Sequence, residues 1–165
     1  MASDANSAPS DDLARYAEVC DTLVETVAAV VPGWIERLVT ERVRAWRGEV
    51  NEEVAATAAR AGTAARDDVV PALRALVDTD IDDQRGNPLA LLRGATSHAH
   101  AVLADAGVPE VVRDQFAERS FPDDVYDLVP ASWDEVDPSL HEIGITWGAA
   151  KAHLFKARRR AEGEQ

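Results

Sequence analysis

The chain has 165 residues, of which 46% are apolar and 28% charged, a balance that suits one soluble globular domain with a real core and gives no reason for a second. Its formal net charge of −13 excludes nonspecific attraction to nucleic acid or anionic lipid, because the average field repels phosphate. Cys20 is the single cysteine, which excludes an internal disulfide and a thiolate-rich zinc cluster.

Only 5% of residues are aromatic, so the core must be built from Val, Leu and Ala, a mixture suited to close-packed helices. Residues 1–10, "MASDANSAPS", read as a disordered leader, and 11–165 as one helical domain. The leader lacks the basic and apolar regions of a signal peptide. The longest strongly apolar run, "VAAVV" at 27–31, falls far short of the ~20 residues that cross a bilayer. The expectation is a cytoplasmic protein with no membrane partner.

Ser10 can cap a first helix whose apolar positions are Leu13, Tyr16, Cys20, Leu23, Val27 and Val30. Pro32 and Gly33 are expected to end it. Cys20 lies on this stripe and reads as an inert core thiol. A second helix then carries Ile35, Val39, Val43, Trp46, Val50 and Val54 through Gly48 to about Ala61, a length of roughly 40 Å. Trp34 and Trp46 read as core or edge packing. Gly62 and Pro71 are expected to bend or restart a third segment bearing Val69, Val70, Leu73, Leu76 and Val77.

After the loop "DTDIDDQRGNP", Asn87 caps a helix that begins with Pro88, carries Leu89, Leu92, Thr96, Ala99 and Leu103, and ends at Gly107. Pro109 should open a short helix with Val112 and Phe116. The segment "SFPDDVYDLVPASWDEVDPSLHEIGITWG", residues 120–148, departs from the rest: it holds three prolines and seven carboxylates, and no Lys or Arg lies between Arg119 and Lys151. Its prolines forbid a long helix over 121–138, and Ser132-x-x-Glu135 is a capping box. A last helix runs from about Ile143 or Trp147 to Arg160. The fold class is therefore all-α, a bundle of about five helices with one long ordered acidic loop.

Candidate chemistry is sparse. Asp78-x-Asp80-x-Asp82 begins like an EF-hand loop, but Asp83 and Leu89 stand where Gly and a bidentate Glu are required. His98 and His100 diverge by about 200° on a helix and form no metal pair. Glu18-x-x-Asp21 and Glu49-x-x-Glu52 could hold magnesium over a diphosphate if they converged. They resemble the paired acidic motifs of all-helical nucleotide pyrophosphohydrolases, with the order of the two pairs reversed. That is the enzymatic alternative. No phosphate loop, nucleophile elbow or dinucleotide fingerprint is present, and no cofactor is expected. The run Lys151, Lys156, Arg158, Arg159, Arg160 suits a helix C-terminus, a clamp on the carboxylates at 123–142, or a phosphate-binding tail that would make the chain a helical DNA regulator.

Carboxylates alone would leave 120–148 disordered; its aromatic and apolar residues argue for order. Phe121, Val125, Leu128, Trp133, Val136 and Leu140 are the expected anchors, with Asp123, Asp124, Asp127, Asp134, Glu135 and Asp137 facing outward. The expected function is non-enzymatic recognition of a basic protein partner by this acidic cap, with Trp133 among the contact residues. The valine stripe of the second helix is also compatible with a homodimer. Residues 82–154, including "DDQRGNPLALLR" and "DQFAERSFPDDVYDLVPASWDEVDPSLHEIGITWGAAKAHLF", resemble a family of uncharacterised bacterial helical proteins. The resemblance implies an all-helical domain that includes the odd segment, and it carries over no catalytic or binding residue.

Overall fold

The structure, a computed structural model, describes residues 8–78, 86–112, 121 and 123–163. Among these residues there are five helices and no strand: α1 (Ala8–Arg47), α2 (Glu52–Asp78), α3 (Pro88–Asp105), α4 (Trp133–Val136) and α5 (Pro138–Gly163). The leader residues 1–7 and the EF-hand-like positions Asp80, Asp82 and Asp83 lie outside the described residues.

Helix α1 does not stop at Pro32. A proline inside a helix costs about 3 kcal/mol through one lost hydrogen bond and a ring clash. Here the apolar stripe continues across it: Val27, Val31, Ile35 and Val39 are all fully buried. At about 1.5–3 kcal/mol for each such side chain, packing on both sides outweighs the local penalty. The chain reverses instead at Gly48, whose φ of +82° suits glycine and whose N–H donates to the Arg44 carbonyl at 2.7 Å. Asn51 then caps α2, its Oδ1 accepting from the Val54 N–H at 2.8 Å. The expected two-helix division at Pro32, with a second helix running to Ala61, is thus replaced by a long helix and a turn at 48–51.

Antiparallel pairing of α1 and α2 follows from two contacts on matching levels. Asp21 of α1 pairs with Arg74 of α2 at 2.6 Å, and Gly62 of α2 meets Pro32 of α1. Helix α5 is antiparallel to α1 as well: Arg37 Nη2 donates to the Val136 carbonyl at 3.1 Å near one end, and His153 faces Asp12 at 3.3 Å at the other. Helix α3 packs on α2 and α1, with His98 reaching Asp68 at 2.8 Å. The core therefore lies along α1, filled by Leu23, Val27, Val31, Ile35, Leu73, Leu92 and Leu103. Trp34 is in it; Trp46 is 40% exposed at the end of α1.

Asn87 and Pro88 start α3 as expected, Asn87 Oδ1 accepting from the Leu89 N–H at 3.0 Å. Gly107, at φ +75°, ends the chain's run along α3. No helix begins at Pro109 itself: residues 109–112 are irregular, and the Val111 N–H donates to the Val125 carbonyl at 2.9 Å. Phe116 lies outside the described residues.

The Pro32–Gly62 crossing gives a sharp expectation. A Cβ on Gly62 would stand 2.4 Å from the Pro32 carbonyl oxygen, a backbone atom that cannot rotate away. Gly62→Ala should lose about 1–3 kcal/mol to overpacking, more than the ~1 kcal/mol that alanine gains in a helix. Gly148→Ala in α5 meets open space and should gain about 1 kcal/mol. Urea unfolding of the two variants measures the opposite signs.

Candidate functional site: an acidic cap fastened to three helices

The cap is organised from inside by one carboxylate. Asp124 Oδ1 accepts from the Leu128 N–H at 2.8 Å and Oδ2 from the Val129 N–H at 2.9 Å. Its Oδ1 also meets His100 Nε2 of α3 at 3.1 Å. Asp124 is only 8% exposed, so these three contacts answer the general need of a buried charge for hydrogen bonds and a partner. The turn is closed by the Asp127 N–H donating to the Asp124 carbonyl at 3.2 Å. Asp127 has φ +56°, a conformation that aspartate tolerates better than most residues.

Tyr126 supplies the apolar counterpart. Its hydroxyl donates to the Val108 carbonyl at 2.9 Å, and its ring lies 5.2 Å from that of His100, tilted by 58°. Burial, with a smaller contribution from the Glu110 charge, holds its phenol above the usual range. Arg93 of α3 donates through Nε to the Pro130 carbonyl at 3.1 Å and lies over the Phe121 ring at 5.3 Å.

The second half of the cap rests on α5. Trp133 lies across Gly144, where a Cβ would come within 2.7 Å of the indole. The absent side chain is the seat of the ring. The expected Ser132–Glu135 capping box does not form: Ser132 Oγ donates to Asp134 at 2.6 Å and makes no helix cap, while Glu135 accepts from the Ala131 N–H at 2.6 Å. Hydrogen bonding to Ser132 is the main cause that holds the Asp134 carboxyl below its ordinary value. Asp137 caps α5, its Oδ1 accepting from Ser139 Oγ at 2.7 Å and from the Ser139 N–H at 2.9 Å. Those bonds, side chain first, depress its carboxyl too. Pro138 is therefore the first residue of α5, which starts five residues before Ile143.

The expected outward set needs correction at Asp124, which faces inward and holds the loop together. Asp123, Asp134 and Glu135 are exposed; Asp127 and Asp137 are half-buried. Among the expected anchors, Leu128, Val136 and Leu140 are buried and Val125 and Trp133 half-buried. Phe121 is instead 39% exposed, and Tyr126 takes the buried role. Its pattern, Val-Tyr-Asp-Leu after two aspartates, alternates inward and outward and could have indicated this.

The paired carboxylates of the enzymatic alternative do not converge. Glu18 and Asp21 lie toward one end of α1, and Glu49 and Glu52 follow its other end, about 40 Å away by helical rise. Asp21 is engaged by Arg74. Among the described residues no group of three or more His, Cys, Asp or Glu is placed to hold a metal ion. His98 and His100 point to different neighbours, Asp68 and Asp124. Cys20 is buried, and burial is the first cause raising its thiol above the ordinary value, which makes it inert. Arg158, Arg159 and Arg160 stand about 30 Å along α5 from Pro138, so they do not clamp the cap.

No family model, curated protein or solved structure matches the chain. The all-helical architecture agrees with what the resemblance over 82–154 implies, and no helix among the described residues is long and apolar enough to cross a membrane.

Asp124→Ala strands two backbone N–H groups in a largely buried turn, and should cost about 2 kcal/mol or more. Hydrogen exchange would report it as faster exchange at Leu128 and Val129 than at the core of α1. Asp137→Asn keeps a competent cap but removes the charge. Because the folded Asp137 carboxyl is depressed, its advantage over Asn should be full at neutral pH. It should vanish as pH falls below the ordinary Asp value of about 3.9, as followed by thermal unfolding from pH 7 downward.

Proposed function

We propose that the protein is a non-enzymatic interaction module of the cytoplasm that binds a basic protein partner through the acidic cap. The observation that carries this reading is the division of labour among the carboxylates. Asp124 and Asp137, buried and half-buried, hold the loop and start α5, whereas Asp123, Asp134 and Glu135 are exposed, Asp134 and Glu135 while keeping local hydrogen bonds from Ser132 Oγ and the Ala131 N–H. No arginine or lysine among the described residues pairs with these three. A preorganised loop binds without the ordering cost that a disordered acidic tail pays.

The exposed Phe121 ring and Val112, 95% exposed, stand on the same part of the chain and supply apolar contact beside the charges. Recognition of this kind gives fast, salt-sensitive association and selects against acidic partners. A homodimer through the valines of α1 is not favoured, since Val27, Val31, Val39 and Val43 are consumed by the bundle core. Arg160 is ascribed to complementing the C-terminal end of α5, in whose last turn it stands.

Affinity capture with the whole chain, followed by titration of each captured protein after purification, tests the reading. A basic partner should be retained at low salt, released as ionic strength rises, and lost from the triple variant Asp123→Asn/Asp134→Asn/Glu135→Gln while its helical circular dichroism is unchanged. Retention indifferent to both salt and these substitutions contradicts it.

A further inference from the structure

At the opposite end of the bundle from the α1–α2 turn, the N-terminal part of α1, the end of α2 and the last turns of α5 enclose a cavity of about 330 Å³. That volume falls within the range of small-molecule sites. Its floor is formed by Tyr16, Cys20, Val77 and Leu154, all buried in the core. Leu13, 48% exposed, stands at the mouth. Around the rim are Asp21 and Asp78 on one side of the charge balance and Arg74 and Arg158 on the other.

This lining discriminates among ligand classes. Among the described residues the two guanidinium groups and two carboxylates of the rim sum to zero, so neither a simple anion nor a simple cation gains from all four. A molecule that carries both signs close together gains from each. The closed distance of 2.6 Å between Arg74 and Asp21 sets the spacing of opposite charges there. That ion pair is largely solvent-exposed, 41% and 61% for its two side chains. Such pairs are worth about 0–1 kcal/mol, so sharing it with a ligand costs little. The apolar floor adds selection for a hydrophobic body. The Tyr16 hydroxyl and Cys20 thiol are both held in their protonated forms, by burial first, so the floor offers no nucleophile and the cavity is suited to reversible binding.

We infer that this cavity binds a small zwitterion with an apolar side chain, the chemistry of a free hydrophobic α-amino acid. The carboxylate meets Arg158 and Arg74, the ammonium meets Asp78 and Asp21, and the side chain lies on Val77 and Leu154. This site is separate from the acidic cap and does not depend on the role given to it.

The indole N–H of Trp147 provides a local reporter. It is buried and lies beside Tyr16 and Cys20 of the cavity floor. Calorimetric titration of the whole chain with L-leucine should show saturable binding, and the Trp147 indole resonance should move with the same isotherm. 4-Methylpentanoate, which lacks the ammonium, and 3-methylbutylamine, which lacks the carboxylate, should bind about tenfold more weakly, the loss of one charge-assisted contact. Glycine, without an apolar side chain, should not compete. Asp78→Asn and Arg158→Gln should each weaken L-leucine binding about tenfold while helical circular dichroism is unchanged. The inference is overturned by any of three results: no saturable binding of L-leucine, L-valine or L-phenylalanine; equal binding of either single-charge analogue; or affinity unmoved in both rim variants.

Discussion

The apolar stripe of α1 has to satisfy α2, α3 and α5 at once, and much of the rest of the fold follows from that demand. Tyr16, Cys20, Leu23, Val27, Val31, Ile35, Val39 and Val43 are all buried, so one face of the helix is covered along nearly its whole length. A stripe this long cannot be interrupted without uncovering one neighbour. Continuity is therefore kept through Pro32, and the reversal is displaced to Gly48, where a left-handed residue is available. The close crossing of Gly62 on the Pro32 carbonyl is the complementary adjustment in α2.

The acidic cap repeats this logic on a smaller scale. Its backbone is not paired in a sheet or helix, so its N–H groups need other acceptors. Asp124 and Asp137 provide them at the turn and at the α5 start. Side chains from the scaffold, Arg93 and Arg37, donate in turn to the Pro130 and Val136 carbonyls. Trp133 finds its place because Gly144 has no side chain to occupy it. A strongly acidic segment can thus be ordered even though its residues repel one another. Asp123, Asp134 and Glu135 keep their charges at the surface of the ordered loop.

How much of this was legible depended on whether a signal was local. Asn87–Pro88 states its own meaning, because a capping side chain and a residue that tolerates the first helical position stand side by side. Asp137–Pro138 says the same, yet it sits among so many carboxylates that the cap was read as one more outward charge. Pro32 reads as a terminator because its local cost is visible in sequence while the packing that outweighs it is not. Asp124 is indistinguishable from Asp123 by pattern; only the position of His100 and of two N–H groups turns it inward. The helical class and most of the core stripes were legible because periodicity records burial directly. The cavity between α1, α2 and α5 was not, because its rim residues come from three distant stretches.

The lateness of α5 in the chain carries a consequence for synthesis. Arg37 and Val136 are 99 residues apart, so when α1, α2 and α3 have left the ribosome, the side of α1 that α5 will cover is still bare. The α1–α2 hairpin can close early through its short turn, as neighbouring elements do at little entropic expense. The nascent protein must then hold a strip of uncovered Tyr, Cys and Val in water until α5 emerges. That interval is when this chain is most open to aggregation and has most use for a chaperone.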